Sequence, residues 1–555
     1  MALFATDRKP TKLELKSETH EDGRARSANY HGDEFLMLGH DNGVYYYLPR
    51  GSGQVVALKS SQHVEGNLIE IAPRQFWENA YSNKGVDWKA AHNALIRHQQ
   101  AVGIYNSDRV RGRGGWWDHD AAALHLGDRL IINGEERPVS QSKKYIYENA
   151  VPIRINYKNP LNVSEARMFS EICETIAWDK KINARYLAGW CAIAPICGAL
   201  EWRPHIWITG GAGSGKSFIL DKIVRRIIGD IGLSVQSATT EAGLRQTLRH
   251  DARPVMFDEI EGADMRAHAR IQNILELARQ ASSETGASLI KGTVSGDAQT
   301  FKIRSCFAFS SIGVSATSRP DETRITVLGI NADGDRERFA RLASMINETM
   351  TDEYTQRFAA RSIRMIPVIR QNARIFATAA AATIGSQRAG DQVGALFAGA
   401  YSLHSDDVAT AKFAQDWISK QDWTDQVRQN EDTDEAKCLA FILQSVVKSP
   451  GKSGPVDRSI AELMEIAAEK TEASYEEIKA AFSTLGLYGM RGDPDAMVIS
   501  VSHSGIAKIL KDTEWAKTWG RTLRRLNGAR PADQPIRFGA VRSRAVNIPW
   551  PADDK

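Results

Sequence analysis

The sequence predicts an α/β protein: a parallel-sheet core, a mixed α/β domain before it, and a helical lid and a winged-helix-like module after it. Three observations carry this. The buried-strand pattern His205-Ile-Trp-Ile-Thr209 runs directly into a glycine-rich loop and then into a helical pattern. Further apolar strand patterns follow at residues 234–237, 254–257 and 306–310, separated by helical stretches, as alternating α/β cores require. Residues 335–430 are Ala-rich and helical in period, which suits a lid.

The chain has 555 residues, enough for three or four packed units. A formal charge of +4 and a pI near 8.6 identify no polyanionic partner, so any basic face has to be local. Cys173, Cys191, Cys197, Cys306 and Cys438 are scattered without a CxxC pair, and read as buried thiols in a reducing compartment. The longest apolar run, residues 187–200, is too short to cross a bilayer, and the N-terminus has no signal pattern. The expectation is a cytoplasmic protein without a membrane partner.

Taken in order, residues 1–28 are polar and poor in large apolar groups, and are expected to form a flexible tail. Residues 29–155 make an accessory domain, with a hairpin expected around Asp41-Asn42-Gly43 and helices between Pro73 and Gln100. The core spans 156–334. The helical region 335–430 is interrupted in pattern at Gly385, Gly390 and Gly399. Residues 431–555 give three short helices, a strand at Met497, a helix over 509–526 and a last strand near Ala545.

The glycine-rich loop is Gly210-Gly211-Ala212-Gly213-Ser214-Gly215-Lys216-Ser217 followed by Phe218, an eight-position P-loop (Walker A) motif opening a helix. The glycines let backbone N–H groups wrap phosphates, Lys216 neutralises the β and γ oxygens, and Ser217 holds magnesium. The implied cofactors are ATP and Mg2+. About forty residues on, Pro254-Val-Met-Phe-Asp258-Glu259 ends an apolar strand in two carboxylates. Asp258 suits the magnesium, and Glu259 the polarisation of attacking water. Ser310 or Ser311, ending the next strand, suits the γ-phosphate side, with Ser310 the choice. Arg324, before the strand 325–328, suits a neighbouring subunit's γ-phosphate.

A lysine-bearing hairpin is expected over residues 288–304, with Lys291 near its tip. Strand, P-loop, paired acids, hairpin, serine strand and arginine in this order resemble the superfamily 3 helicases within the AAA+ (ASCE) class of P-loop ATPases. More narrowly, the chain is similar to the helicase part of phage and prophage primase-helicases. The matching stretches are Tyr46 to Gln54, Arg109 to Asp118, Leu124 to Asp128, Gly189 to Ser217, Phe257 to Glu261 and Gln387 to Gln392. The resemblance implies a DNA-translocating ring, a homo-oligomer of hexamer type, with Lys291 gripping DNA in the pore. It departs in lacking an upstream zinc ribbon or primase site, so a primase would be a separate partner. Asp118-His119-Asp120 is a weak DxD in a hairpin turn.

Two further basic places are candidates for DNA. Arg111 and Arg113 interleave with glycines before Trp116-Trp117, a cation and aromatic mixture that suits single strands. Arg524 and Arg525 lie in the densest basic stretch, residues 521–544. An ATP-driven DNA helicase or translocase in replication of a mobile element is the first reading. A AAA+ loader or remodelling ATPase without unwinding, or a nucleotide-gated DNA-binding scaffold, stay open beside it.

Overall fold

The computed structural model describes residues 34–549 apart from 83, 119, 140–144, 261–263, 285–288, 293–297, 315–322, 333, 425–432, 451–453, 469–471 and 489–495. The expected tail therefore lies outside the described residues, as do Glu261, His119 and the tip of the Lys291 hairpin. The chain divides into two compact units, Met1–Asp422 and Trp423–Lys555.

The core of the first unit is a five-stranded parallel sheet. In chain order its strands are β1 (His205–Gly210), β2 (Leu233–Gln236), β3 (Val255–Asp258), β4 (Phe307–Ser311) and β5 (Ile325–Ile330), arranged β2-β3-β4-β1-β5. Parallel strands need crossovers, so every loop at the carboxyl edge comes from a different point in the sequence, and ligand-binding loops collect there. Trp207, Phe257, Phe307 and Phe309 fill one face and are covered by the helix Met265–Ala281. His205 fixes the other end of β1: its Nε2 donates to the Ala278 carbonyl at 2.6 Å, and its Nδ1 accepts from the Phe307 N–H at 3.1 Å. Complete burial pushes its pKa down to about 3, so it is a neutral structural donor and acceptor.

The N-terminal part of the first unit combines short strands with helices such as Arg74–Ala80 and Trp88–Val102. Strands Phe35–Asp41 and Val44–Pro49 pair through Asn42 (φ +46°) and Gly43 (φ +79°), the left-handed pair that a two-residue hairpin needs. A four-stranded meander follows over Gly114–Asp118, Ala121–His125, Leu130–Ile132 and Glu135–Arg137.

After the sheet come helices Arg336–Thr349, Asp352–Arg364, Ile366–Ile384, Gln387–Ser402 and Ala411–Ser419. Gly385 ends a helix, at φ +80°. Gly390 and Gly399 do not: they lie inside Gln387–Ser402 and let it touch neighbouring backbone, since a Cβ on Gly399 would stand 2.3 Å from the Gly189 carbonyl oxygen. The lid expectation narrows for a related reason. Arg336–Thr349 flanks the P-loop, whereas Gln387–Ser402 sits at the far end of the sheet, its Gln392 Nε2 donating to the His205 carbonyl at 3.1 Å.

In the second unit, helices Asp434–Gln444, Ile460–Ala468 and Glu472–Leu485 and a four-stranded sheet share one core. The helix expected over 509–526 is broken into short turns, Ser504–Ile509, Trp519–Thr522 and Leu523–Arg525. Two indole N–H groups anchor these turns to the rest of the unit: Trp515 donates to Asp434 at 2.8 Å and Trp519 to the Ser500 carbonyl at 3.0 Å. All five cysteines are free and buried.

Candidate functional site

The glycine loop leaves β1 at the carboxyl edge, turning through Gly213 (φ +76°) and Gly215 (φ +91°), conformations that a side chain resists. Its first glycine is required by space, because a Cβ on Gly210 would lie 2.6 Å from Ser214 Oγ and 2.8 Å from the Ile330 carbonyl oxygen. A helix starts at Lys216 (Lys216–Ile219), widens into a π turn (Leu220–Val224) and closes as Arg225–Ile228. Its N-terminal N–H groups and dipole face the loop, the physical basis of a phosphate cradle. Lys216 Nζ donates to the Gly210 and Gly211 carbonyls at 2.7 and 2.9 Å, which tethers the ammonium over the loop. Ser217 is exposed in the first helical turn.

Asp258 ends β3, two strands from the P-loop, with β4 between them. Arg225 lies 3.9 Å from its carboxylate, which is partly exposed. Glu259 follows at φ +50°, a left-handed conformation that costs a glutamate roughly 1–2 kcal/mol. The strain turns the chain at the strand end, where Ile260 N–H bonds the Ser310 carbonyl at 2.8 Å. Ser217 and Asp258 are both hard oxygen donors, so their chemistry fits Mg2+ completed by phosphate and water. The described residues contain no cluster of three His, Cys, Asp or Glu side chains that could hold a metal alone.

Strand alternation separates the two serines. Ser311 accepts from Trp207 Nε1 at 2.7 Å and donates to the Gly313 carbonyl, so it belongs to the aromatic face. Ser310 points to the opposite face, level with Ile208 of β1. Arg324 is elsewhere. Its carbonyl accepts from His205 N–H at 3.2 Å, at the amino end of β5, while the P-loop leaves the carboxyl end of β1. Five residues of strand, about 17 Å, separate the two positions. Arg324 thus lies at the opposite end of the sheet from the glycine loop of its own chain.

Sequence reasoning missed a cleft of about 350 Å³ beside the loop, bounded by Ile176, Gly215, Phe218, Ile330, Phe339 and Leu342 among others. Phe218 and Phe339 have ring centroids 4.9 Å apart, and Phe339 is half exposed. The loop residues and Phe218 were legible, as the motif and the residue after it; the other walls come from two distant segments, residues 175–177 and 330–342.

Lys291 lies on the strand Leu289–Gly292, paired antiparallel with Ala298–Phe301 and opposite Gln299. The base of this hairpin is held by Glu284, whose carboxylate meets Lys302, Arg304 and Arg203 at 3.0, 3.1 and 3.1 Å.

Arg111 and Arg113 correct the sequence expectation of a single-strand surface. Arg111 is buried, its guanidinium 4.2 Å from both the Trp116 and Tyr145 ring centroids. Arg113 pairs with Asp251 at 2.6 Å and also donates to the Val151 carbonyl. Aromatic and carboxylate partners within the fold have claimed both cations. Asp118 is likewise buried and accepts from Tyr147 Oη at 3.1 Å, a structural role. Arg524 and Arg525 are exposed on the turn Leu523–Arg525.

No family model and no curated protein matches the chain. Among solved structures it is similar to "SCCmec type IV Cch - active helicase", at 11% identity over 99% of this chain and 98% of that one, with a TM-score of 0.49. The NrS-1 C terminal region aligns at 11% identity over 77% and 97% of the two chains, TM-score 0.32. A full-length MCM homolog from Methanopyrus kandleri aligns at 14% over 55% and 75%, TM-score 0.27. At these identities and TM-scores none of the likenesses bears on chemistry, and the functional reading stands on the site.

Proposed function

We propose that the chain is an ATP-hydrolysing motor acting on DNA, a helicase or translocase that works as a ring-shaped oligomer. The observation that carries the ATPase part is the shared carboxyl edge of one parallel sheet. The P-loop leaves β1 there, Ser310 stands one residue before the end of the adjacent β4, and Asp258 ends β3 beyond it, with Glu259 next. Backbone N–H groups of the loop and Lys216 would hold the triphosphate, and Ser217 and Asp258 the Mg2+, which screens phosphate charge when bound. Glu259 would orient and deprotonate the attacking water, and Ser310 would stand beside the γ-phosphate. The cleft walled by Phe218 and Phe339 would take the base. ATPase assays of Glu259→Gln test this part: hydrolysis that survives the substitution overturns the role of Glu259.

The DNA and ring parts are supported by three things: the hairpin carrying Lys291, the exposed Arg524 and Arg525, and the remoteness of Arg324 from its own P-loop. An arginine that serves a phosphate only across a subunit boundary requires assembly. In the second unit, the helices and small sheet suit a winged-helix-like DNA-binding module, and a primase would act as a separate partner. Strand displacement on a forked substrate separates unwinding from loading, because a loader hydrolyses ATP without releasing the annealed strand.

A further inference from the structure

In the second unit, strands Ile536–Phe538 and Val541–Ser543 form a tight hairpin around Gly539-Ala540. Gly539 at φ +55° supplies the left-handed first position of a two-residue turn. The hairpin is fixed from beneath. Phe538 is buried with Val498 and Ala545, its ring lies 5.3 Å from that of Tyr488, and Tyr488 Oη donates to the Arg537 carbonyl at 2.7 Å. With Phe538 inward, alternation turns Arg537 outward, and its cross-strand partner in the register is Arg542.

Two like charges directly opposite on an antiparallel pair destabilise it. Among the described residues no carboxylate offsets this one. Residues 521–549 contain seven arginines (521, 524, 525, 530, 537, 542 and 544) against a single acid, Asp533. All seven are exposed, and none forms an ion pair with a described residue. Arg537 Nε donates to the Gly539 carbonyl at 3.0 Å, which holds its guanidinium near the turn. A hairpin that keeps two arginines side by side with no carboxylate of the described residues paired to them is built for an external polyanion.

We infer that the Arg537–Arg542 pair is a phosphate clamp for the nucleic-acid backbone, resting on the reading of DNA as this protein's partner and adding a contact distinct from the Lys291 hairpin. Arginine forks accept phosphate oxygens bidentately. Their opposed Cα atoms, about 4.5–5.5 Å apart, let the two forks reach neighbouring phosphates of one strand. The aromatic rings of this region, Phe538 and Tyr488, support the hairpin from below, so the contact reads backbone charge and not base identity. The apolar side chains exposed on the hairpin, Ala540 and the half-exposed Val541, are too small an anchor for a bilayer.

The experiment measures binding of the full chain, without nucleotide, to a fluorescein-labelled single strand, to the matching duplex, and to phosphatidylserine-containing vesicles across a salt series. Arg537→Glu/Arg542→Glu should weaken DNA binding about tenfold or more and reduce the salt slope by about two. Arg537→Lys/Arg542→Lys should retain most of the affinity. Arg542→Glu alone places opposite charges across the strands, so its thermal midpoint should equal or exceed that of the parent while DNA affinity falls. DNA affinity and salt slope unchanged in the double glutamate variant would overturn the clamp. So would affinity lost only together with thermal midpoint, or a loss confined to vesicles. ATP hydrolysis without DNA, measured on the same variants, should be unchanged. A parent chain that fails to hydrolyse ATP but shows the clamp effect refutes the motor and leaves the clamp standing.

Discussion

Arg203 and Glu284 pair at 3.1 Å, joining the segment that leads into β1 to the base of the Lys291 hairpin. Arg203 is fully buried and also donates to the Ala281 and Leu200 carbonyls, while Glu284 holds Lys302 and Arg304 as well. The strand that carries the P-loop and the hairpin that would touch DNA thus share one ionic anchor. Burial raises the Glu284 pKa, but the surrounding Arg203 and Arg304 charges overcome it and hold the carboxyl at about 2.

Glu284→Ala should therefore cost about 2–4 kcal/mol in chemical denaturation, less than a fully buried pair because a third of the side chain meets solvent. A carboxyl depressed in the folded state stabilises it fully above the unfolded value near 4.3. That contribution should fade as pH falls from about 4.3 toward 2, and the fading should be absent from the variant. A parallel acid transition in both proteins would refute the anchor.

Lys216→Ala should abolish measurable ATP binding. Glu259→Gln should bind ATP normally but lower kcat by about 10²–10⁴. Glu259→Gly adds a second readout: with φ at +50°, glycine should leave stability equal or up to about 1 kcal/mol higher while hydrolysis is lost. A large destabilisation would show that Glu259 is structural.

Phe339→Ala should raise the Kd for ATP by about 5- to 30-fold through loss of the aromatic wall, and leave the affinity for inorganic triphosphate unchanged. Isothermal calorimetry with both ligands distinguishes the outcomes. Equal losses for the two would remove the base from the cleft.

Asp251→Ala should cost about 3–5 kcal/mol, because it strands the guanidinium of Arg113 in a nearly buried setting. DNA affinity of any folded fraction should be unchanged. A specific loss of single-strand binding with intact stability would restore Arg113 as a DNA contact.

Arg324→Ala should reduce hydrolysis only where subunits meet. Mixed with Lys216→Ala chains, it should regain activity at interfaces that join an intact Arg324 to an intact P-loop. Activity equal to the parent at all protein concentrations would place Arg324 outside the reaction.

The glycine loop and the turn into its helix were legible because the pattern is local: glycines, lysine and serine are contiguous, and Asp258-Glu259 directly follow an apolar strand. The first hairpin was legible through Asn42-Gly43 for the same reason, since two left-handed residues are needed in a row. Arg111 and Arg113 were misread because their partners, Tyr145 and Asp251, lie about 34 and 138 residues away, and a sequence shows a cation but not the ring or carboxylate that claims it. Gly390 and Gly399 were read as helix breaks when they are contact points, a distinction that depends on which backbone approaches.

The sequence alone determined the strand, glycine loop and helix, the acids at the end of a later strand, and the helical character of the region between Arg336 and Ser419, all of which follow from short-range periodicity and stereochemistry. Tertiary structure decided which of these meet. Parallel crossovers bring β1, β3 and β4 to one edge, send Arg324 to the other, fold Phe339 onto Phe218 and set Arg537 opposite Arg542. Pairing order and register are properties of the whole packed chain, so no single segment encodes them.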